Sequence, residues 1–239
     1  MAKKISAFIQ YLRSSRTIHY GLILTLPLLA IYEIGILFLF KNAFFEMRNS
    51  GEILLRSFFD WLGLSNPNII SGILLCVFII VMVRGYQIEK KPGIKADYFI
   101  YMLLESMFWG AVLFICLQLF TQIPLQIVTL EDKLANMNLA VGAGIYEELI
   151  FRMVLIGALL VLFREGFAIP QKWSIPMSIF ISALIFAAFH LFMEVYSFPI
   201  YSQRVLGGIF LGTLYWYRGY GITVYAHIIF NILILAASW

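Results

Sequence analysis

Three short constellations in the C-terminal half of this 239-residue sequence carry side chains capable of acid–base chemistry: Glu147, Glu148 and Arg152; Phe186, His190 and Glu194; and His227 with Asn231. At about 100° per residue in an α-helix, Glu148 and Arg152 share a face and can pair, whereas Glu147 points about 100° away. A carboxylate left without a cation in low-dielectric surroundings holds its proton toward the neutral range, where a general base works. His190 stands one turn beyond Phe186, with Glu194 a further turn along the same stripe, so His190 can help Glu147 hold and deprotonate a water. His227 and Asn231 again lie one turn apart, and two convergent neutral donors are what an oxyanion needs. The chemistry such a set could perform is water attack on an amide carbonyl. Plainer readings stand beside it: an interhelical ion network for Glu148 and Arg152, a packing role for His190, and interhelical hydrogen bonds of about 1 kcal/mol for His227 and Asn231.

The elements that must position these groups are membrane helices. Hydrophobic residues make up 62% of the chain and charged ones 13%, with a mean hydropathy of +0.90; soluble domains run at about 45–50% apolar and about 25% charged. The apolar residues fall in blocks long enough to span a bilayer: Ile18 to Phe40, Ile69 to Val83, Tyr98 to Phe120, Leu139 to Phe163, Ile175 to Tyr196, Val205 to Tyr217 and Ile222 to Trp239. The expectation is an all-α, polytopic helix bundle of about seven to eight transmembrane helices. Gly51 to Leu64 (GEILLRSFFDWLGL) reads as an amphipathic interfacial helix that could be an eighth element. One integral membrane domain is expected, divided into a basic N-terminus (1–17), N-terminal helices and loops (18–138) and a C-terminal core (139–239). Gly207, Gly208 and Gly212 in the sixth block suit close helix packing.

Alternate loops beginning with residues 1–17 carry eleven Lys and Arg and the others five. The positive-inside rule then puts the N-terminus in the cytoplasm and, with seven spans, the C-terminus on the far side. The formal charge of +4 needs no nucleic acid to explain it, and Cys76 and Cys116, both inside apolar blocks, support neither a disulfide framework nor a thiolate metal site. Ionisable groups within spans cost roughly 2.5–3.5 kcal/mol each, so every one is a functional hypothesis. Glu33 and Glu105 are two more, read as lining the same cavity, sharing a proton, or serving structure. One feature sits awkwardly: at 1.5 Å per residue His190 lies about 22 Å from Ile175, yet His227 only about 8 Å from Ile222, so the blocks as bounded put the two histidines at different depths.

The motifs E-E-L-I-F-R (Glu147 to Arg152), F-A-A-F-H (Phe186 to His190) and H-I-I-F-N (His227 to Asn231), in that order, resemble the EExxxR, FxxxH and HxxxN motifs of the CPBP family of type II CAAX prenyl endopeptidases and bacteriocin-processing relatives. The likeness covers roughly residues 139 to 235. It implies an intramembrane endopeptidase in which Glu147 activates water, His190 assists, His227 and Asn231 stabilise the oxyanion, and Glu148 with Arg152 support them. Phe186, Glu194 and Glu105 are candidate cavity residues. No cofactor is expected; the alternative is a zinc ion held by His190, Glu194 and His227, disfavoured because the chain has no H-E-x-x-H helix. The partners implied are the bilayer and a peptide or lipidated protein substrate, with no nucleic acid, in the inner membrane of a prokaryote. Two other functions compete: a non-catalytic scaffold or bacteriocin self-immunity protein of the same fold, and a proton-coupled transporter, which lacks repeat symmetry here and leaves His227 with Asn231 unexplained.

Overall fold

With no water inside a bilayer to satisfy backbone polar groups, a chain of this composition has to fold as helices. The computed structural model describes residues 2–39, 48–64, 94–121, 130–191 and 197–237, with isolated positions 66, 76, 79, 80 and 83, and among them there is no strand. The first helices are α1 (Ala2–Ser15), α2 (Ile18–Leu39), α3 (Ser50–Trp61) and α4 (Ala96–Thr121). Helix α5 (Leu130–Glu147) runs without a break through a π-helical stretch (Glu148–Ile156), α6 (Gly157–Val161) and a second π-helical stretch (Leu162–Gly166). Helices α7 (Gln171–His190), α8 (Phe198–Arg218) and α9 (Tyr220–Ala237) follow. The protein is an all-α bundle.

Four helices among the described residues are long and apolar enough to cross a membrane: α2, α4 over Ala96–Leu119, α7 and α9. Large apolar side chains stand exposed along them, among them Phe38, Leu104, Leu119 and Phe180. Lipid solvates such residues, and the chain is an integral membrane protein. The amphipathic segment expected at Gly51 to Leu64 is α3, which buries Gly51 and Glu52 and exposes Phe58 and Trp61. The apolar block Ile69 to Val83 lies largely outside the described residues.

Two block boundaries are corrected. The helix of the fourth block, α5, begins at Leu130 rather than Leu139, because its first turns (LEDKLANMN) are amphipathic and no apolar count finds them. That of the sixth block, α8, begins at Phe198 rather than Val205, again through a polar opening, FPIYSQR. Glu147 therefore stands in the middle of a continuous helical rod over 130–166.

Helix α9 is the axis of the bundle, packed against α2, α4, α5 and α8. One core cluster joins α2, α5 and α9 through Tyr32, Ile36, Ile145, Tyr146, Val224 and Ile228; a second joins α1, α2, α4 and α9 through Tyr11, Leu24, Met102, Ile222 and Ala226. The approach of α9 to α2 is set by two glycines: a Cβ on Gly221 would sit 2.7 Å from the Cα of Gly21. Similarly, a Cβ on Gly208 would lie 2.9 Å from that of Ala183, so the small residues of α8 seat it on α7 as expected.

Glu33 and Glu105 do not share a proton; each has its own cation. Glu105 pairs with Arg218 and accepts from the Tyr11 hydroxyl at 2.6 Å, while the Arg218 guanidinium also reaches the Leu12 carbonyl and the Ser15 hydroxyl. This knot ties α1, α4 and the end of α8 together. Glu33 lies 3.5 Å from Arg48.

The glycine contact yields a paired prediction. Gly221→Val should cost about 1–3 kcal/mol through overpacking, read as a lower denaturation midpoint in detergent micelles. Gly157→Ala, with nothing within 4 Å of the added carbon, should hold or gain about 0.5–1 kcal/mol through helix propensity. Equal effects at both sites would refute the contact.

Candidate active site

A cavity of about 340 Å³ opens among α4, α5, α7, α8, α9 and the start of α3, and its wall contains Glu147, Phe186, His190, His227 and Asn231. Five residues singled out by type and spacing, from three separated motifs, thus line one space. Leu113, Leu117 and Leu211 supply the apolar part of the wall. Glu147, His190 and His227 are all buried, at 3%, 8% and 5% exposure, so these ionisable groups are largely shielded where they line the cavity.

Glu147 closes the α-helical part of α5, and the π-helical stretch opens at Glu148. Such widened turns, with i→i+5 bonds, are rare and recur at functional sites. The two glutamates diverge as the helical spacing requires. Glu148 turns into the protein, fully buried, 3.2 Å from the Nε of Arg152. Its other oxygen meets the Nδ1 of His227 at 2.7 Å, a link from α5 to α9 that no local spacing could reveal. The Arg152 guanidinium also lies 4.5 Å above the ring of Phe186, a cation–π contact in an apolar setting.

Glu147 turns toward the cavity. Its Oε1 accepts a hydrogen bond from the Ser50 hydroxyl at 2.9 Å and lies 3.8 Å from the Nε2 of His190. His190 is held from the other side: its Nδ1–H donates to the Phe186 carbonyl at 2.9 Å, and its ring packs edge-on against Phe186 at 4.7 Å between centroids. With Nδ1 so occupied, Nε2 is the nitrogen that faces Glu147. A donor–acceptor gap of 3.8 Å is too long for a direct hydrogen bond, but one water beside the pair could touch both.

The depth mismatch between the two histidines disappears in this arrangement, because they reach consecutive residues of one helix, His190 to Glu147 and His227 to Glu148. Asn231, one turn beyond His227 on α9, lines the same cavity. Glu105 does not; it is placed in the Arg218 knot, and the expectation that it is a cavity residue is corrected. Glu194, both as a cavity residue and as the third member of the alternative zinc set, lies outside the described residues. Among the described residues no group of three or more His, Cys, Asp or Glu could hold a metal ion.

Ser50 was not among the residues picked out by type. Its only trace in the sequence is the run Asn49-Ser50-Gly51 before an amphipathic helix, the pattern of a helix start. Gln203 and Arg204, from the early turns of α8, also line the cavity.

Since Glu148 and Arg152 are 0% and 1% exposed, removing one member strands the other. Arg152→Met should destabilise by about 3–5 kcal/mol, whereas Glu147→Gln, which keeps the shape and a hydrogen-bonding carboxamide, should stay within about 1 kcal/mol of wild type. Denaturation in detergent micelles of the two variants side by side checks the contrast, and equal losses would contradict it.

Residues 132–233 match the family model described as Type II CAAX prenyl endopeptidase Rce1-like. The matched stretch runs from the first turn of α5 to within a turn of the end of α9, and it contains Glu147, Glu148, Arg152, Phe186, His190, His227 and Asn231. No curated protein and no solved structure matches the chain.

Proposed function

We infer, from a chain whose residues 132–233 match the type II CAAX prenyl endopeptidase Rce1-like family model, that it is an intramembrane endopeptidase cutting a peptide bond of a membrane-associated peptide or protein with water activated by Glu147. The observation that carries this reading is the convergence of Glu147, His190, His227 and Asn231 on one cavity from three helices.

Water bound beside Glu147 and His190 attacks the scissile carbonyl carbon as the Glu147 carboxylate takes its proton. The carbonyl π electrons move to oxygen, forming a tetrahedral oxyanion. When it collapses, the C–N bond breaks and the proton held by Glu147 passes to the leaving amine. His190, fixed through Nδ1, orients the water and shares the proton through Nε2.

The oxyanion is met from α9. With the Nδ1 of His227 held by Glu148 at 2.7 Å, Nε2 is the ring nitrogen left to meet the oxyanion, and it donates there when it carries a proton. Asn231 adds a neutral carboxamide N–H from the next turn. Glu148 and Arg152 act through His227 and do not touch the peptide. A low-dielectric, preorganised pair of donors of this kind contributes about 2.7–4 kcal/mol per donor in other hydrolases.

The family description points to a C-terminal CAAX sequence as one substrate class; a leader or sorting peptide would be cut by the same chemistry. The inner membrane of a prokaryote is the proposed location. The test compares newly exposed peptide termini in membranes carrying wild-type protein or Glu147→Gln at matched expression. Termini present with wild type and reduced by about 10²–10⁴-fold in the variant are the expected outcome, and they name the substrate. Identical profiles, with the variant folded, would leave a non-catalytic scaffold of the same fold.

A further inference from the structure

The cavity is not built by the C-terminal helices alone. The first turn of α3, nearly a hundred residues upstream of Glu147, forms part of its wall through Ser50. We propose that Ser50 is a positioning residue that sets the orientation of the Glu147 carboxylate toward the attacking water, a role that rests on the endopeptidase reading above.

The geometry of α3 carries the argument. Asn49 caps the helix, its side chain accepting from the Gly51 N–H at 2.8 Å, and its own N–H donates to the Tyr32 hydroxyl at 3.1 Å. Two residues beyond Ser50, the fully buried Glu52 accepts from that same Tyr32 hydroxyl at 2.6 Å and from Arg56 at 2.6 Å, and pairs with Arg48. Ser50 is therefore pinned on both sides to one tyrosine of α2. Gly51 lies flush against the glutamate: a Cβ there would stand 2.9 Å from Cγ and 3.0 Å from the backbone nitrogen of Glu147. A serine on a loose surface segment could meet a carboxylate by chance, but one on a capped, clamped helical turn presents its hydroxyl at a fixed place.

Glu147 has two oxygens, and both close groups approach the same one. Ser50 donates to Oε1, and His190 Nε2 lies nearest Oε1. Oε2, with no hydrogen bond among the described residues, is the oxygen left to take the proton from water. Without the Ser50 hydroxyl the carboxylate is free to rotate about its terminal torsion, which is broad and soft, and the basic oxygen loses its registry with the water. Such a loss appears in turnover rather than in peptide binding.

The test uses the full chain in detergent micelles and a synthetic peptide carrying a junction cut in wild-type membranes. Ser50→Ala should lower kcat by about tenfold, in line with the cost of small misplacements, with KM within about twofold and the thermal midpoint unmoved. Ser50→Thr, which keeps the hydroxyl, should restore kcat to within about threefold of wild type. An unchanged kcat in Ser50→Ala overturns the assignment, as does a fall in kcat matched by a fall in thermal midpoint. Inactivity as complete as that of Glu147→Gln also overturns it, since a positioning residue leaves residual turnover. Glu147→Gln run in parallel separates the two ideas: inactive Glu147→Gln with fully active Ser50→Ala defeats this inference alone, whereas active Glu147→Gln defeats the endopeptidase reading and this inference with it.

Discussion

A carboxylate taken out of water needs an answering charge, and the interaction on which the rest of the site depends is the double answer given to Glu148. Arg152 meets it from one turn along the same helix and His227 from α9. The local pair compensates the charge; the interhelical contact fixes the face that α9 turns to α5 and with it the side on which Asn231 emerges. Because Glu148 takes both partners, its neighbour Glu147 keeps its carboxylate for the cavity. Two adjacent glutamates thus receive opposite environments from the rotation of one residue in a helix.

The bundle around this contact is arranged to bring α9 close. The glycines at 21 and 221 let α9 lie against α2, and the tyrosine-rich core of α2, α5 and α9 holds their relative heights. The Arg218–Glu105–Tyr11 knot lies away from the cavity, where it ties α1 and α4 to the end of α8 just before α9 begins. Buried charge is used twice in the same way, once as the site's support and once as a fastener, and what separates them is whether a neighbouring carboxylate is left facing a cavity.

The fold class and the main cluster were legible in the sequence because both depend on local spacing. Apolar runs of membrane length announce helices, and the i, i+4 pairs Glu148–Arg152, Phe186–His190 and His227–Asn231 follow from helical periodicity alone. What stayed hidden depends on contacts between helices. The His227–Glu148 bond joins residues 79 apart and the Ser50–Glu147 bond residues 97 apart, and no pattern within either segment encodes its partner. The polar openings of α5 and α8 are invisible to an apolar count, which is why the fourth and sixth blocks start late. Glu105 is conspicuous as a carboxylate in a span, while the partner that takes it away from the cavity, Arg218, sits at the far end of another helix.

In the proposed mechanism a Glu147-activated water attacks the peptide carbonyl directly, and the sharpest measurement follows the oxygen. Purified wild-type protein in micelles, given a junction peptide in ¹⁸O-labelled water, should place one heavy oxygen in the new C-terminal carboxyl group while the intact mass of the chain stays unchanged throughout turnover. A peptidyl adduct accumulating on the chain, or undiminished ¹⁸O incorporation when Glu147 is replaced by Gln, would contradict it.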